Sequence, residues 1–378
     1  MFSVPTLLGA EPAAVAAAIA AGEVAANGSH TREAEELIAQ RVGRTAMMTS
    51  SCTDALLIAV MALELNPGDE VIVPSFTFVS TALVVALRGA TPVFADIEQD
   101  TLTLDPRSFH DHLTDRTRAV IPVHYAGASG DLDAVLALSV ERELAVIEDA
   151  AHAYGGTYRG RPFGTLGDLG ALSFHSQKNL QCGEGGAVLV ADAELASRVR
   201  VLREKGTNRQ AFIDGEVDKY TWVGLGGHHL PPDYVAAALV PQLRAFDEIQ
   251  NRRALLWERY ADGLISWADA VGVSTPTLRA EVRQTHHIYW LVLPTPDDRR
   301  DFTRWMAKAG IPTPFHYPSL ARSPAGARYG RTLGTPVSDR VAQSLIRLPL
   351  HHALSDDDLS FVIDRATAWR PVRRKEQS

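Results

Sequence analysis

The sequence predicts an α/β fold: a large domain around a mainly parallel sheet, followed near residue 244 by a smaller α+β domain. Two observations carry this. Over the first two-thirds of the 378 residues, short apolar strand-like runs alternate with helix-like segments, the pattern of βαβ units. Polar clusters then fall at or just beyond the ends of the strands, where ligands gather in such sheets. The boundary follows from GLGGHHLPPD, whose Gly and Pro residues interrupt regular structure, and from the mixed element order after it. We take residues 1–243 as the large domain and 244–378 as the small one.

The elements follow in order. Residues 11–21 read as an amphipathic helix, since no basic segment precedes the Ala-rich run and it does not resemble a signal peptide. Ala34–Val42 reads as a helix and Ala46–Thr49 as a short strand ending in TSSCTD. Ala55–Leu65 is the next helix, NPGDE a turn and VIVP a buried strand. Phe78–Leu87 is helical, PVFADI and RAVIPVHY are strands, Leu132–Glu141 is a helix and LAVIED a strand. GALSFH and GAVLVA form a strand pair around a polar turn. One long helix is expected over Ala236–Leu264. HIYWLVLP is then a strand, Asp301–Ala309 a helix, RLPL a short strand and Asp356–Ala368 a helix, before a charged tail expected to fray.

Composition narrows the function classes. The chain is 46% apolar and 22% charged, ordinary for a globular protein, and its net charge is −8. An acidic balance argues against a general nucleic-acid or membrane surface. No apolar run reaches the length of a membrane span. Two cysteines, Cys52 and Cys182, make neither a disulfide framework nor a zinc site, and a reduced cytoplasm is the expected compartment. The pairs His228-His229 and His286-His287 are adjacent, so neither places both rings on one face for a metal; no metal is expected.

The chemistry concentrates in two segments. Asp149 ends the strand LAVIED, and Lys178 lies 29 residues later in the turn Ser-x-x-x-x-Lys-Asn before GEGG. A lysine that forms an imine, and an acid that keeps a ring nitrogen protonated, are what pyridoxal 5′-phosphate (PLP) requires. Released from the imine, such a lysine also carries the substrate proton. His152 is placed to touch the cofactor's phenolic oxygen. Ser51, Cys52 and Thr53 open a helix, where amides and hydroxyls cradle phosphate; Ser173 is a second phosphate candidate, and Phe78 a ring to stack on the pyridine. Each has a plainer use as well: Asp149, Ser51 or Thr53 as helix caps, His152 as a structural histidine, Phe78 as core. GEGG lacks the spacing of a nucleotide fingerprint.

Together these segments resemble the DegT/DnrJ/EryC1/StrS sugar aminotransferases, PLP enzymes of fold type I. The likeness spans nearly the whole chain through PGDEVIVPSFTFVST, GATPVFADI, VHYAG, EDAAHA, GTLGDLGALSFHSQKN, EGGAVL, FHYPSL and RLPL. It implies a seven-stranded, mainly parallel sheet and a homodimer with shared sites. It assigns Lys178 as the covalent lysine and Asp149 as the ring-nitrogen acid. His152 would lie at the ring oxygen, Ser173, Cys52 and Thr53 at the phosphate, and Phe78 over the ring. Arg203–Trp222 is similar to enzymes that aminate C4 of dTDP-4-oxo-6-deoxy-D-glucose, which implies L-glutamate as donor and a nucleotide sugar as acceptor. Arg203, Lys205, Arg209 and Lys219 supply local positive charge for the diphosphate, or else form a solvated loop face. Asn208, Tyr220, His316 and Tyr317 complete the implied substrate set. Two departures stand out. Cys52 occupies a place where the family commonly has Gly. GGHHL replaces a Gly-x-Asn-x-Arg segment, so that His228 takes the position of an Asn that reaches the partner's cofactor phosphate. The alternatives are amination at C3 of a related keto sugar, a PLP-dependent sugar dehydratase (in which His replaces the lysine) and a non-catalytic binding protein.

Overall fold

The structure, a computed structural model, describes residues 2–371; the tail expected to fray lies outside the described residues from 372 onward. Seven strands form the central sheet: β1 (Thr45–Thr49), β2 (Glu70–Pro74), β3 (Thr91–Ala95), β4 (Thr117–Val120), β5 (Ala145–Asp149), β6 (Leu169–Ser173) and β7 (Gly186–Val190). Their order is β1-β7-β6-β5-β4-β2-β3. All run parallel except β7, which is antiparallel to both its neighbours. The strands are buried on both faces, as runs such as VIVP without polar alternation require. Met48, Val120, Val146 and Leu172 face the helices Ser29–Val42, Leu132–Glu141 and Asp233–Arg244. Met47, Val71, Ile147 and Val188 face Cys52–Ala62, Val79–Leu87 and Ala193–Arg203.

Strand direction brings the chemistry to one rim. Gly186 pairs with both Thr49 and Ser173, so the ends of β1 and β6 meet the start of β7. A Cβ at Gly186 would stand 2.5 Å from the Cys52 amide nitrogen. A glycine is therefore needed where β7 passes the helix that starts at Cys52.

A separate core forms after residue 246. Helix Phe246–Val271 packs Leu256, Tyr260 and Leu264 against Tyr289, Phe302 and Trp369. A two-stranded ribbon, Trp290–Val292 with Leu345–Arg347, runs antiparallel and places Arg347 opposite Trp290.

The structure corrects several boundaries. The single long helix is two, Asp233–Arg244 and Phe246–Val271, broken at Ala245 with ψ of 17°. Pro241 lacks the N–H that would bond back to residue 237, which weakens the first helix near its end. The turn lets Phe246 meet Tyr154 edge-to-face at 5.4 Å. The helix expected from Ala55 starts at Cys52, because Ser51 caps it by accepting from the Asp54 N–H. RAVIPVHY is a strand only through Val120, before Pro122. Ala193–Arg203, capped by Asp192, is a helix that periodicity did not reveal. No helix among the described residues is long and apolar enough to cross a membrane.

Candidate active site

The rim opens into a cavity of about 710 Å³. It is lined by Ser51, Cys52 and Thr53, Phe78, Asp149, His152, Ser173 and Lys178 on one wall, and by His316, Tyr317 and Arg347 on another. The residues read from strand ends thus come together.

Asp149 is the last residue of β5 and is buried. Its carboxylate accepts from the Thr81 hydroxyl at 2.8 Å and from the Ala151 N–H at 3.2 Å. Burial raises its pKa against these donors and the Lys178 charge. A cation placed beside it would restore the ionised form. Lys178 follows the backbone bond from its own N–H to the His175 carbonyl, 2.8 Å. Burial lowers its pKa to about 8, against the pull of Cys52 and Asp149. A free amine, the nucleophilic form, is therefore far more populated at neutral pH than for an ordinary lysine.

Three imidazoles stay neutral. Burial first, and then the Lys178 cation, hold His152 and His287 well below the usual histidine range; His316 is lowered by burial and Arg347. His152 Nδ1 accepts from the Ala126 N–H at 3.3 Å, which puts the ring hydrogen on Nε2, 3.2 Å from the Tyr317 hydroxyl. Tyr125 meets His316 Nδ1 at 2.8 Å. His124, beside the site in sequence, turns away and pairs with Glu148 at 2.7 Å in the core.

The helix start forms the anion end. Its first amides, Cys52 and Thr53, have no partner within the helix. Thr53 shares a hydrogen bond with Ser80 at 2.7 Å. Asp54 accepts from Ser50 at 2.5 Å and Ser51 at 2.9 Å, and lies 2.8 Å from His229 Nδ1. Burial raises the Asp54 pKa, but His229 and the two serines outweigh it and hold the carboxyl below its usual range. Burial, then Asp149, push the Cys52 thiol up, so it stays uncharged.

Other expected positions lie elsewhere. Arg203 is buried and bonds Glu35 at 2.5 Å and the Met48 carbonyl at 3.0 Å. This corrects its reading as a substrate cation: its charge is neutralised inside the chain. Arg209 pairs with Glu204 at 3.1 Å, and Asn208 accepts from the Thr221 N–H at 2.6 Å. Lys205, Lys219 and Tyr220 are exposed and do not line the cavity. His228 is exposed too; of the pair, His229 faces the helix start.

Residues 7–367 match the DegT/DnrJ/EryC1/StrS aminotransferase family. The chain belongs to that family. It is 36% identical to the spore coat polysaccharide biosynthesis protein SpsC of Bacillus subtilis over 89% of this chain and 88% of that one. It is 34% identical to the UDP-2-acetamido-2-deoxy-3-oxo-D-glucuronate aminotransferase of Pseudomonas aeruginosa over 89% of each. Among solved structures, the aminotransferase TlmJ from Streptoalloteichus hindustanus matches with a TM-score of 0.89 and 34% identity, over 97% of this chain and 98% of that one. Aminotransferases of this family use PLP, and solved relatives are known in PLP and pyridoxamine forms. The protein is thus a PLP-dependent aminotransferase, and the expectation of a mainly parallel seven-stranded sheet is met.

The residues of this aminotransferase fit the cofactor. The unpaired amides at Cys52 and Thr53 suit a phosphate. Asp149 is a buried acid without a tight cationic partner among the described residues, suited to a protonated ring nitrogen. Phe78 is 54% exposed although it lines the cavity wall, an open aromatic face that a ring can cover. Sequence reasoning missed Thr81, which fixes Asp149, although VST stood in a recognised segment. It also missed Arg347: a three-residue strand gives no periodicity to say which way an arginine points.

Proposed function

We propose that the protein moves an amino group from L-glutamate to the ketone carbon of a nucleotide-linked sugar. The observation that carries this reading is Lys178, its amine brought down to a pKa of about 8 by burial in the same cavity as Asp149 at the end of β5. Bound PLP supplies the electron sink and holds the amino group between the two half-reactions. Lys178 would anchor it, and its freed amine would carry a proton from the donor's Cα to the cofactor in the first half-reaction and from the cofactor to the sugar carbon in the second. Asp149 keeps a proton on the ring nitrogen, held in place by Thr81. His152 would turn its Nε2 hydrogen from the Tyr317 hydroxyl to the ring oxygen, and Ser173 and the helix start would hold the phosphate. One site serves both substrates in turn, so parallel initial-velocity lines are expected.

The first acceptor to test is dTDP-4-keto-6-deoxy-D-glucose, aminated at C4. A second reading, C3 amination of a UDP-linked 3-oxo uronate, is favoured by the Pseudomonas relative and by the guanidinium in the cavity. NMR of the product formed from each sugar with L-glutamate and holoenzyme decides between them. No amine on either sugar would defeat the sugar reading.

The reading includes a cytoplasmic homodimer in which His228 reaches the partner's cofactor phosphate, as a donor in place of an amide. Exposed apolar side chains flank it, with Trp222 74% and Leu225 67% accessible in the isolated chain. Light scattering tests the dimer; a fully active monomer would refute the shared site. Lys205, Arg209 and Lys219 remain proposed contacts to the partner's substrate.

A further inference from the structure

We propose that Arg347 is the carboxylate-binding residue of the cavity, and that it selects substrates through a carboxylate on the amino donor or on the sugar. The inference rests on the aminotransferase reading and extends it to specificity. Among the described residues that line the cavity, Lys178 and Arg347 are the two fixed cations. Lys178 is taken by the cofactor, which leaves Arg347 to meet a substrate anion.

Arg347 is built for an outside partner. It ends a strand that pairs with Trp290, so its backbone is fixed. The Phe2 ring lies 4.7 Å from the guanidinium and covers one of its faces. Nη2 donates to the Phe315 carbonyl at 3.2 Å, and buried Nε has no hydrogen-bond partner. No carboxylate among the described residues pairs with it. The two fully buried arginines differ; Arg88, Arg279, Arg299 and Arg365 also have an unpartnered Nε, but none of them lines the cavity. Arg253 is satisfied by the carbonyls of His286, His287 and Leu350, and Arg203 by Glu35. A half-buried guanidinium on a cavity wall, with no carboxylate partner in the chain, keeps its fork available to an anion that enters.

The ligand class follows from shape and placement. A planar fork of N–H donors matches a carboxylate or a phosphate two bonds at a time. The helix start, not Arg347, is the proposed cradle for the cofactor phosphate. Arg347 lines the same cavity as Lys178, His152 and His316. The neutral imidazoles and Tyr317 around it bring no competing anion. L-Glutamate carries carboxylates, and a uronate sugar carries one at C6. If the sugar is a uronate, one arginine serves both half-reactions.

Calorimetry on the holoenzyme tests this without turnover. The probes are glutarate, which has the donor's carboxylates and no amine, and UDP-glucuronate beside UDP-glucose, which differ in one carboxylate. Arg347→Gln is expected to weaken at least one carboxylate probe by about tenfold to a hundredfold, the loss of a charge-assisted pair, and to leave UDP-glucose within about twofold. Loss in the glutarate arm alone assigns the donor; loss in the UDP-glucuronate arm assigns the sugar. Arg347→Lys keeps charge without the fork and should give an intermediate loss, and it carries the test if the Gln variant does not fold. Unchanged binding of both carboxylates, failure of the wild type to bind either, or equal weakening of UDP-glucose overturns the proposal. A wild type that binds glutarate through Arg347 yet aminates no sugar refutes the sugar reading alone.

Discussion

The two walls of the cavity are built differently. On the sheet side the polar groups beside the helix start and at the end of β5 are braced: Asp149 by Thr81, Ser51 by Asp54, Asp54 by His229. After residue 246, His316 bonds Tyr125 and Tyr317 bonds His152, but Arg347 has no carboxylate partner among the described residues. A braced wall suits a cofactor that stays, whereas an incomplete one suits substrates that exchange. Damage to the first should therefore abolish all chemistry, and damage to the second should discriminate among substrates.

The largest effect is expected at Lys178. Lys178→Ala should lower turnover more than about a thousandfold, with far-UV circular dichroism unchanged, because the lost group is a covalent reactant. Residual activity above that level would remove the lysine from the mechanism. Next is Asp149→Asn, which should retain cofactor but slow the L-glutamate half-reaction about a hundredfold or more, since an amide does not stabilise a protonated ring nitrogen. Stopped-flow absorbance reads it; a normal rate would make Asp149 merely structural.

Arg203 sharpens the contrast from outside the cavity. Removing one partner of a buried pair leaves Glu35 uncompensated, so Arg203→Ala should cost about 3 kcal/mol of stability and leave the KM for nucleotide sugar unchanged. A raised KM with normal stability would return Arg203 to the substrate site.

A pH effect comes next. In the cofactor-free protein the Lys178 pKa is about 8, against 10.5 unfolded. Between those values the unfolded chain binds more protons, so this group's contribution to stability rises with pH; below about 8 its penalty is fully present. Lys178→Met should therefore be more stable than the cofactor-free wild type at pH 7. The gap should be about 2 kcal/mol, lowered by cavity water from the value of 1.36 kcal/mol per pKa unit, and should close toward pH 10.5. Denaturant titrations at pH 7 and 10 measure it; a constant gap would contradict the depressed pKa. The smallest effect is His228→Ala, expected to weaken cofactor retention severalfold without dissociating the dimer; unchanged retention would exclude His228 from the partner's phosphate.

How legible the molecule was in its sequence differs along the same line. Asp149, Ser173 and Lys178 were readable because a parallel sheet forces its strand ends to one rim, and apolar runs such as LAVIED mark those ends. Arg203 misled because charge density in a segment says nothing of burial: it sits on the inner face of a helix that periodicity did not reveal. Arg347 was invisible because its direction depends on a ribbon whose strands lie more than 50 residues apart in sequence. The same limit hid the break at Ala245, set by where Phe246 finds Tyr154.

The most direct test is the absorbance of purified holoenzyme during titration with L-glutamate, wild type beside Lys178→Ala. The wild-type band of the lysine-bound cofactor should disappear and then return when a keto-sugar nucleotide is added. Lys178→Ala should lack the band from the start. A wild-type band that persists in saturating L-glutamate and every other amino acid, or an unaltered band in Lys178→Ala, would contradict the account.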